Sequence, residues 1–164
     1  MSIAPPLRDF NGETVPHDHV EIAHGDCLIR RISEQQLVFD QRIGSRRVSS
    51  LAFSASSGSA GGLSVDIKKL IEEDGHDART YVTTPRWIGS VQLTAGQLRD
   101  AGLRVGFDPL PDNPYHGQAW GSITKSAKDR ILRTCQWFVQ IPDVTLCVPQ
   151  LPTATAGPLQ SGTL

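Results

Sequence analysis

Short apolar runs separated by turn residues dominate the chain and predict a sheet. Runs of four to seven residues rich in Val, Ile, Leu, Phe and Trp are typical of strands, and polar or glycine-rich segments bound them. These predicted strands lie at residues 27–32, 48–54, 87–93, 103–107 and 118–123.

Two longer segments follow the helical period instead. Ile67, Leu70 and Ile71 are spaced as one apolar face, with Asp66 and its charged neighbours on the other, so a helix is predicted over 66–74. An apolar stripe predicts the longest helix over 125–139. Capping-box patterns at 33–36 and 94–97 predict two shorter helices.

The order of these elements predicts an α+β fold. It consists of a mixed or mostly antiparallel sheet with three or four helices packed on it. Residues 1–26 are acidic and interrupted by proline, which predicts an irregular lead-in. A single domain is predicted over 27–148, and the Pro-, Thr- and Gly-containing tail at 149–164 is expected to be extended or disordered.

Bulk composition narrows the range of partners. The formal net charge of -1 over 164 residues gives no general attraction to nucleic acid or an anionic membrane, and no apolar run is long enough to span a bilayer. The basic segment at 42–47 lacks the interleaved aromatic residues of a single-strand binding surface. Three cysteines at Cys27, Cys135 and Cys147, with no signal peptide, favour a reducing, cytoplasmic environment.

Three histidines near the N-terminus form a candidate metal site. His17, His19 and His24 lie with two aspartates and Cys27 in eleven residues, and imidazole, carboxylate and thiolate are zinc ligands. Their spacing matches no standard structural zinc pattern. The alternative interpretation is a polar, solvated segment.

Arginines and serines on neighbouring predicted strands form a candidate anion site. Arg30 and Arg31 lie on one strand, and Arg47 leads into Ser49 and Ser50 on the next. A guanidinium offers a planar fork of donors suited to phosphate or carboxylate. Because adjacent strand residues point to opposite faces, we expect at most one of Arg30 and Arg31 to face a given pocket and the other to be solvated.

This arginine-then-serine order resembles the opening of the arginine–serine–glutamate ADP-ribosyltransferases. The resemblance covers about the first third of the chain. It implies that an arginine holds the phosphate or ribose of NAD and that Ser49 and Ser50 shape the nicotinamide pocket. The family's later glutamate is absent, and Gln118 stands nearest to its place. An amide there can bond a ribose hydroxyl but brings no negative charge.

The loop at 108–116 is the third candidate site. Its three prolines make it stiff, and Asn113, Tyr115 and His116 follow at the mouth of a predicted strand. His116 could serve as a general acid or base. The alternative is a rigid connection in which His116 satisfies backbone carbonyls.

The segments RRI, SSLAF, LSVD, LTAG and DPLPDNPYH resemble, as a set, a group of small uncharacterised bacterial proteins. The likeness is one of element order over residues 27–138. It implies a bacterial intracellular domain and gives no mechanism.

The sequence therefore leaves three candidate functions. We expect an accessory protein that acts through a protein partner, in a bacterial system that could be defence- or toxin-related, because no catalytic set can be assembled. The second is an NAD-binding or ADP-ribosyltransferase-like domain, active or degenerate. The third is a zinc protein.

Overall fold

The computed structural model describes residues 3–56 and 61–146, in which short strands and helices alternate. The strands are β1 Cys27–Ser33, β2 Leu37–Asp40, β3 Ser45–Val48, β4 Leu63–Ile67, β5 Trp87–Thr94, β6 Arg104–Phe107, β7 His116–Trp120, β8 Gln136–Val139 and β9 Val144–Thr145. The α-helices are α1 Lys68–Glu73, α2 Ala78–Val82, α3 Ala95–Asp100 and α4 Lys125–Thr134. The predicted tail at 149–164 lies outside the described residues.

Six strands form the main sheet, in the order β6-β7-β4-β1-β5-β8. Each neighbouring pair in it is antiparallel. A smaller sheet has the order β2-β3-β9, and β9 runs parallel to β3. This mostly antiparallel architecture with four helices confirms the predicted α+β fold. Because β1 lies inside the main sheet, its side chains are central to the molecule.

The apolar core draws on the sheet, the helices and the lead-in. Its largest fully buried side chains are Phe53, Ile22, Leu28, Ile29, Ile32, Leu63, Ile67, Ile71, Leu98, Ile131, Val48 and Val82. Ile22 belongs to the segment at 3–26, which has no strand or helix apart from a single bridge between Arg8 and Thr14. Burial of Ile22 fastens this irregular segment to the rest of the fold.

The helix predicted over 125–139 is too long. Thr124 caps α4 by accepting a hydrogen bond from the amide of Ala127, and the helix ends at Thr134. Cys135 then adopts an extended backbone, and residues 136–139 form β8 beside β5. The aromatic and β-branched side chains of β8 favour a strand wherever a partner strand is available.

The helix predicted over 66–74 begins two residues late. Asp66 lies in β4 and is 3% exposed, so it does not belong to the polar face of a helix. Only residues 68–73 form α1. The alternation of apolar and polar residues along 63–67 has the strand period of two, and it prevails over the helical spacing that follows.

Two other boundaries were also predicted wrongly. The strand expected over 48–54 ends at Val48, where Ser49 accepts a hydrogen bond from the amide of Leu51 and starts a 3-10 turn over Ser50–Phe53. The short helix expected over 33–38 is one 3-10 turn at Glu34–Gln36, followed by β2. Serine side chains that bond nearby amides favour such turns over regular strands and helices.

Candidate functional site

A cleft opens where two central strands separate. β1 pairs with β4 only at Leu28–Ile67 and Ile29–Asp66, whereas on its other side it pairs with β5 along its whole length. Beyond Ile29 the two strands diverge and leave a cavity of about 410 Å³, which we name the β1–β4 cleft. Its lining residues are Arg30, Arg31, Ser64, Val65, Asp66, Tyr81, Trp87, Leu110, Asp112, Asn113 and His116.

Arg30 spans the gap between the strands. Its Nε donates to the carbonyl of Ala52 at 2.9 Å, and its Nη1 donates to the carbonyl of Ser64 in β4 at 3.0 Å. Burial lowers the pKa of Arg30 to about 10, against the opposing influence of Asp66. The guanidinium therefore remains charged at neutral pH. It forms no ion pair with a described residue, and these residues offer no acceptor to its Nη2.

Arg31 is held in a polar network on the same cleft. Its Nε and Nη2 donate to the two carboxylate oxygens of Asp66 at 2.8 and 3.0 Å. Asn113 donates from Nδ2 to Asp66 at 2.7 Å and accepts from the Tyr81 hydroxyl at 3.0 Å. Because a carboxylate only accepts, these contacts fix the orientation of the Asn113 amide. Asp66 is thus committed to Arg31 and Asn113.

His116 is backed by a carboxylate. Its Nδ1 lies 2.8 Å from the carbonyl oxygen of Asp108 and 3.3 Å from the Oδ2 of the same residue. Gln118 donates to that carboxylate at 2.5 Å. Burial alone would raise the pKa of Asp108, but the hydrogen bonds it receives hold it at about 2. The carboxylate is therefore ionised at neutral pH, as a partner for an imidazole N–H.

Aromatic rings complete the walls of the cleft. The Arg31 guanidinium carbon lies 5.6 Å from the centre of the Tyr81 ring, and that of Arg86 lies 4.9 Å from the Trp87 ring. Both distances suit cation–π contact. The cleft thus combines charged, hydrogen-bonding and apolar surface, as small-molecule sites commonly do.

Four residues predicted from the sequence meet at the cleft. They are Arg30, Arg31, Asn113 and His116. The expectation that only one of the two arginines faces a given pocket was wrong. Their side chains leave opposite faces of β1, but the strand has no neighbour in the sheet at this point on the β4 side, so both line the gap. Neither arginine is fully exposed to solvent.

Several other candidates lie away from the cleft. Gln118 accepts from the amide of Gly62 and contacts Asp108 behind His116. The hydroxyl of Tyr115 donates to Asp74 at 2.8 Å, a bond that raises the pKa of Tyr115 to about 12.

The expected arginine–serine cluster is also dispersed. Arg47 pairs with Asp40 at 2.8 Å, in the smaller sheet. Ser49 caps the 3-10 turn that begins at Ser50, and neither serine lies on a strand or lines the cleft.

The N-terminal histidines serve the fold rather than forming a ligand set. The Nε2 of His17 accepts from the amide of Phe107, and the backbone amide of His19 donates to the carbonyl of Val105. His24 contacts Arg99 at 3.0 Å. In residues 3–56 and 61–146, no group of three or more His, Cys, Asp or Glu side chains could hold a metal ion.

Sequence reasoning missed several members of the cleft, chiefly Asp66, Tyr81 and Trp87. Asp66 had a usable signal, because it occupies a polar position in the alternating segment Leu63–Ile67. Tyr81 had none, since it lies in α2, which no local pattern predicted.

Comparison of the chain with protein-family models, with curated proteins and with solved structures gave no match. None of the helices in the described part of the chain has the length and apolar character needed to cross a bilayer.

Proposed function

We propose that the chain is a binding domain for a small anionic molecule, which it holds in the β1–β4 cleft through Arg30. The observation that carries this proposal is the state of the Arg30 guanidinium. It is half-buried, it bonds two backbone carbonyls, and no described carboxylate pairs with it. A desolvated cation without a counter-ion is unfavourable, and a phosphate or carboxylate would supply one.

The two acidic residues of the cleft do not fill this role. Asp66 already receives three hydrogen bonds from Arg31 and Asn113. Asp112 lies exposed among the lining residues, where solvent and salt screen its charge. The Arg30, Arg31 and Asp66 group therefore keeps one excess positive charge inside the cleft.

The cleft has room for more than a simple ion. Its volume of about 410 Å³ falls within the range of roughly 300–1,000 Å³ that is common for ligand sites. Val65, Trp87 and Leu110 give it apolar surface for the uncharged part of a ligand. NAD is one candidate, since the ADP-ribosyltransferase resemblance implies it. Arg30, Arg31 and His116 would be available to NAD here, whereas Ser49 and Ser50 would not.

Calorimetry with inorganic phosphate and with NAD tests the proposal. We expect saturable binding of at least one of them, weakened roughly tenfold or more in Arg30→Gln, because a hydrogen bond to a charged group is worth about 1.5–3 kcal/mol. Arg130→Gln, on the exposed face of α4, is the matched control and should bind as the wild type does. Equal affinity in Arg30→Gln would contradict the role of Arg30, and no heat with either anion at millimolar concentration would contradict anion binding.

We also propose, as a second function, that the chain docks onto a protein partner through the turn at 9–13. Phe10 is 97% exposed at this turn. The turn is nevertheless well fixed: Asp9 Oδ1 accepts from the amides of Asn11 and Glu13, and Arg8 ties it to the carbonyl of Pro109. An aromatic side chain held out on an ordered backbone is suited to anchoring in a partner's pocket.

Asp9 and Glu13 lie on either side of Phe10 and indicate a partner pocket with a basic rim. Affinity capture with wild-type chain and with Phe10→Ser tests this, using Phe39→Ser as the control at another exposed phenylalanine. The expected result is a protein that is retained by the wild type and by Phe39→Ser and is lost with Phe10→Ser. The purified captured protein should show the same pattern when its binding to each purified chain is measured. Identical retention by all three chains would reject the docking role of Phe10.

A further inference from the structure

His116 lies where a bound molecule can reach it. It begins β7, opposite Asp66 in the register between β4 and β7, and it lines the β1–β4 cleft. Its side chain is only 9% exposed. A polar ring nitrogen in such a place needs a hydrogen-bonding partner.

The surroundings of His116 fix which nitrogen carries the proton. Both atoms near Nδ1 are oxygens of Asp108, a backbone carbonyl at 2.8 Å and a carboxylate at 3.3 Å, and both can only accept. Nδ1 is therefore the N–H donor, and in the neutral ring Nε2 carries a lone pair. No described residue donates a hydrogen bond to Nε2. With its proton on Nδ1, His116 thus offers the cleft an acceptor at Nε2.

The acceptor and the Arg30 guanidinium line the same cavity. Arg30 is tied to the carbonyl of Ser64, and His116 stands opposite Asp66, two residues further along β4. The backbone positions of Ser64 and Asp66 are about 7 Å apart along the strand. A ligand that meets both groups inside this one cavity therefore carries a hydrogen-bond donor as well as its negative charge.

We propose that the ligand of the β1–β4 cleft is a hydroxylated anion, such as a sugar phosphate or a sugar acid, whose hydroxyl donates to Nε2 of His116 while its charged group meets Arg30. This inference rests on the anion binding proposed above. Because the ligand must contact His116 as well as Arg30, simple anions and alkyl acids, which lack a hydroxyl group for His116, are excluded as preferred ligands.

Two matched pairs of probes test the inference. Glucose 6-phosphate is compared with hexyl phosphate, and gluconate with hexanoate, so that each pair shares its charged group and carbon count. The measured quantity is the ratio of affinities within a pair, and a comparison of the two pairs tells phosphate from carboxylate.

Two variants at position 116 separate recognition from packing. Asn in His116→Asn can keep a donor near Asp108 but has no acceptor at the place of Nε2, whereas His116→Gln can place an amide oxygen there. We expect the affinity ratio to fall roughly tenfold in His116→Asn and to be largely kept in His116→Gln. In the wild type, glucose 6-phosphate or gluconate should also shift the Nε2 nitrogen resonance of His116, and hexyl phosphate and hexanoate should not.

The outcomes distinguish this inference from the proposed function. If all probes bind in an Arg30-dependent way but the ratios are the same in His116→Asn, anion binding stands and the role of His116 is overturned. An unchanged Nε2 resonance at saturation overturns it as well, without relying on a variant. If none of the four probes binds although phosphate or NAD does, this inference fails and anion binding stands; if phosphate and NAD do not bind either, both proposals fail.

Discussion

At two of the places where the backbone ladder of the main sheet stops, side chains replace it in different ways. At the outer edge of β6, Asp18 accepts from the amide of Val105 and His17 accepts from that of Phe107. At the gap between β1 and β4, Arg30 donates to the carbonyl of Ser64. A carboxylate and an imidazole nitrogen, both as acceptors, close the edge of β6 against further strands, whereas the long cationic side chain of Arg30 bridges the gap between β1 and β4 and leaves a cleft beside it.

The difference shows that the length and charge of a few side chains decide whether a break in the backbone ladder is covered or remains as a cleft. An uncovered edge strand invites pairing with another chain, and the lead-in prevents this at β6. The gap lies inside the sheet, between two strands that are each paired on their other side, so its polar atoms can serve a ligand instead.

Removing the charge of Asp66, beside the gap between β1 and β4, should cause the largest loss in the free energy of unfolding. In Asp66→Asn, Arg30 and Arg31 share the cleft with no buried carboxylate, and breaking a buried ion pair costs about 3 kcal/mol or more. Urea denaturation should show this loss in the free energy of unfolding. Asp112→Asn, at the exposed acid of the cleft, should change it by less than about 0.5 kcal/mol. A loss below about 1 kcal/mol for Asp66→Asn would mean that solvent already compensates the arginines.

A side chain at Gly106 should displace the lead-in from the edge of β6. A Cβ atom there would meet the ring of Trp120 and would lie 2.8 Å from both Cε1 and the carbonyl oxygen of His17. We expect Gly106→Ala to lower the free energy of unfolding by up to about 3 kcal/mol, because overpacking displaces the lead-in. Hydrogen exchange at the amides of Val105 and Phe107 should become faster.

Gly25→Ala is the control for this displacement. Nothing lies within 4 Å of a Cβ atom at Gly25, and its backbone is not left-handed. Stability and exchange should therefore stay close to those of the wild type. If Gly106→Ala left exchange at Val105 unchanged, the lead-in would not be the element that protects this edge.

The sequence predicted four of the residues that line the gap but not the gap itself. Arg30, Arg31, Asn113 and His116 were found because their side chains carry chemistry and lie on strands or at strand ends. The separation of β1 from β4 depends on the register between segments more than thirty residues apart, which no local pattern contains. Asp66 was missed for a related reason, since a strand and a helix meet there and their two periods overlap.

For the N-terminal histidines, the sequence predicted a shared site that the described residues do not form. Their clustering in the sequence indicated shared chemistry, but His17 and His19 hold successive positions along β6, and His24 bonds to Arg99. Residues close in sequence converge on one point only if the chain turns back on itself. Here it runs along a strand edge, so the ring nitrogens of His17 and His24 meet separate partners.

Asp108 connects the two places, because it directly follows β6 and backs His116 in the cleft. Its pKa of about 2 lies below the unfolded value of 3.8. Its ionised form therefore stabilises the fold by about 2 kcal/mol above pH 4, and this contribution is lost as the pH falls from about 4 to 2. Asp108→Asn should be less stable than the wild type by this amount at pH 6 and should converge with it near pH 2.

Asp129→Asn is the matched control, since Asp129 pairs, among the described residues, with Lys125, whose side chain is 88% exposed. Its stability should follow that of the wild type across the whole range of pH, within about 0.5 kcal/mol. If the curves of Asp108→Asn and the wild type stayed parallel down to pH 2, the carboxylate of Asp108 would not be the stabilising group. His116 would then be oriented by the backbone carbonyl alone, and the link between the β6 edge and the cleft would be a property of the loop rather than of the charge.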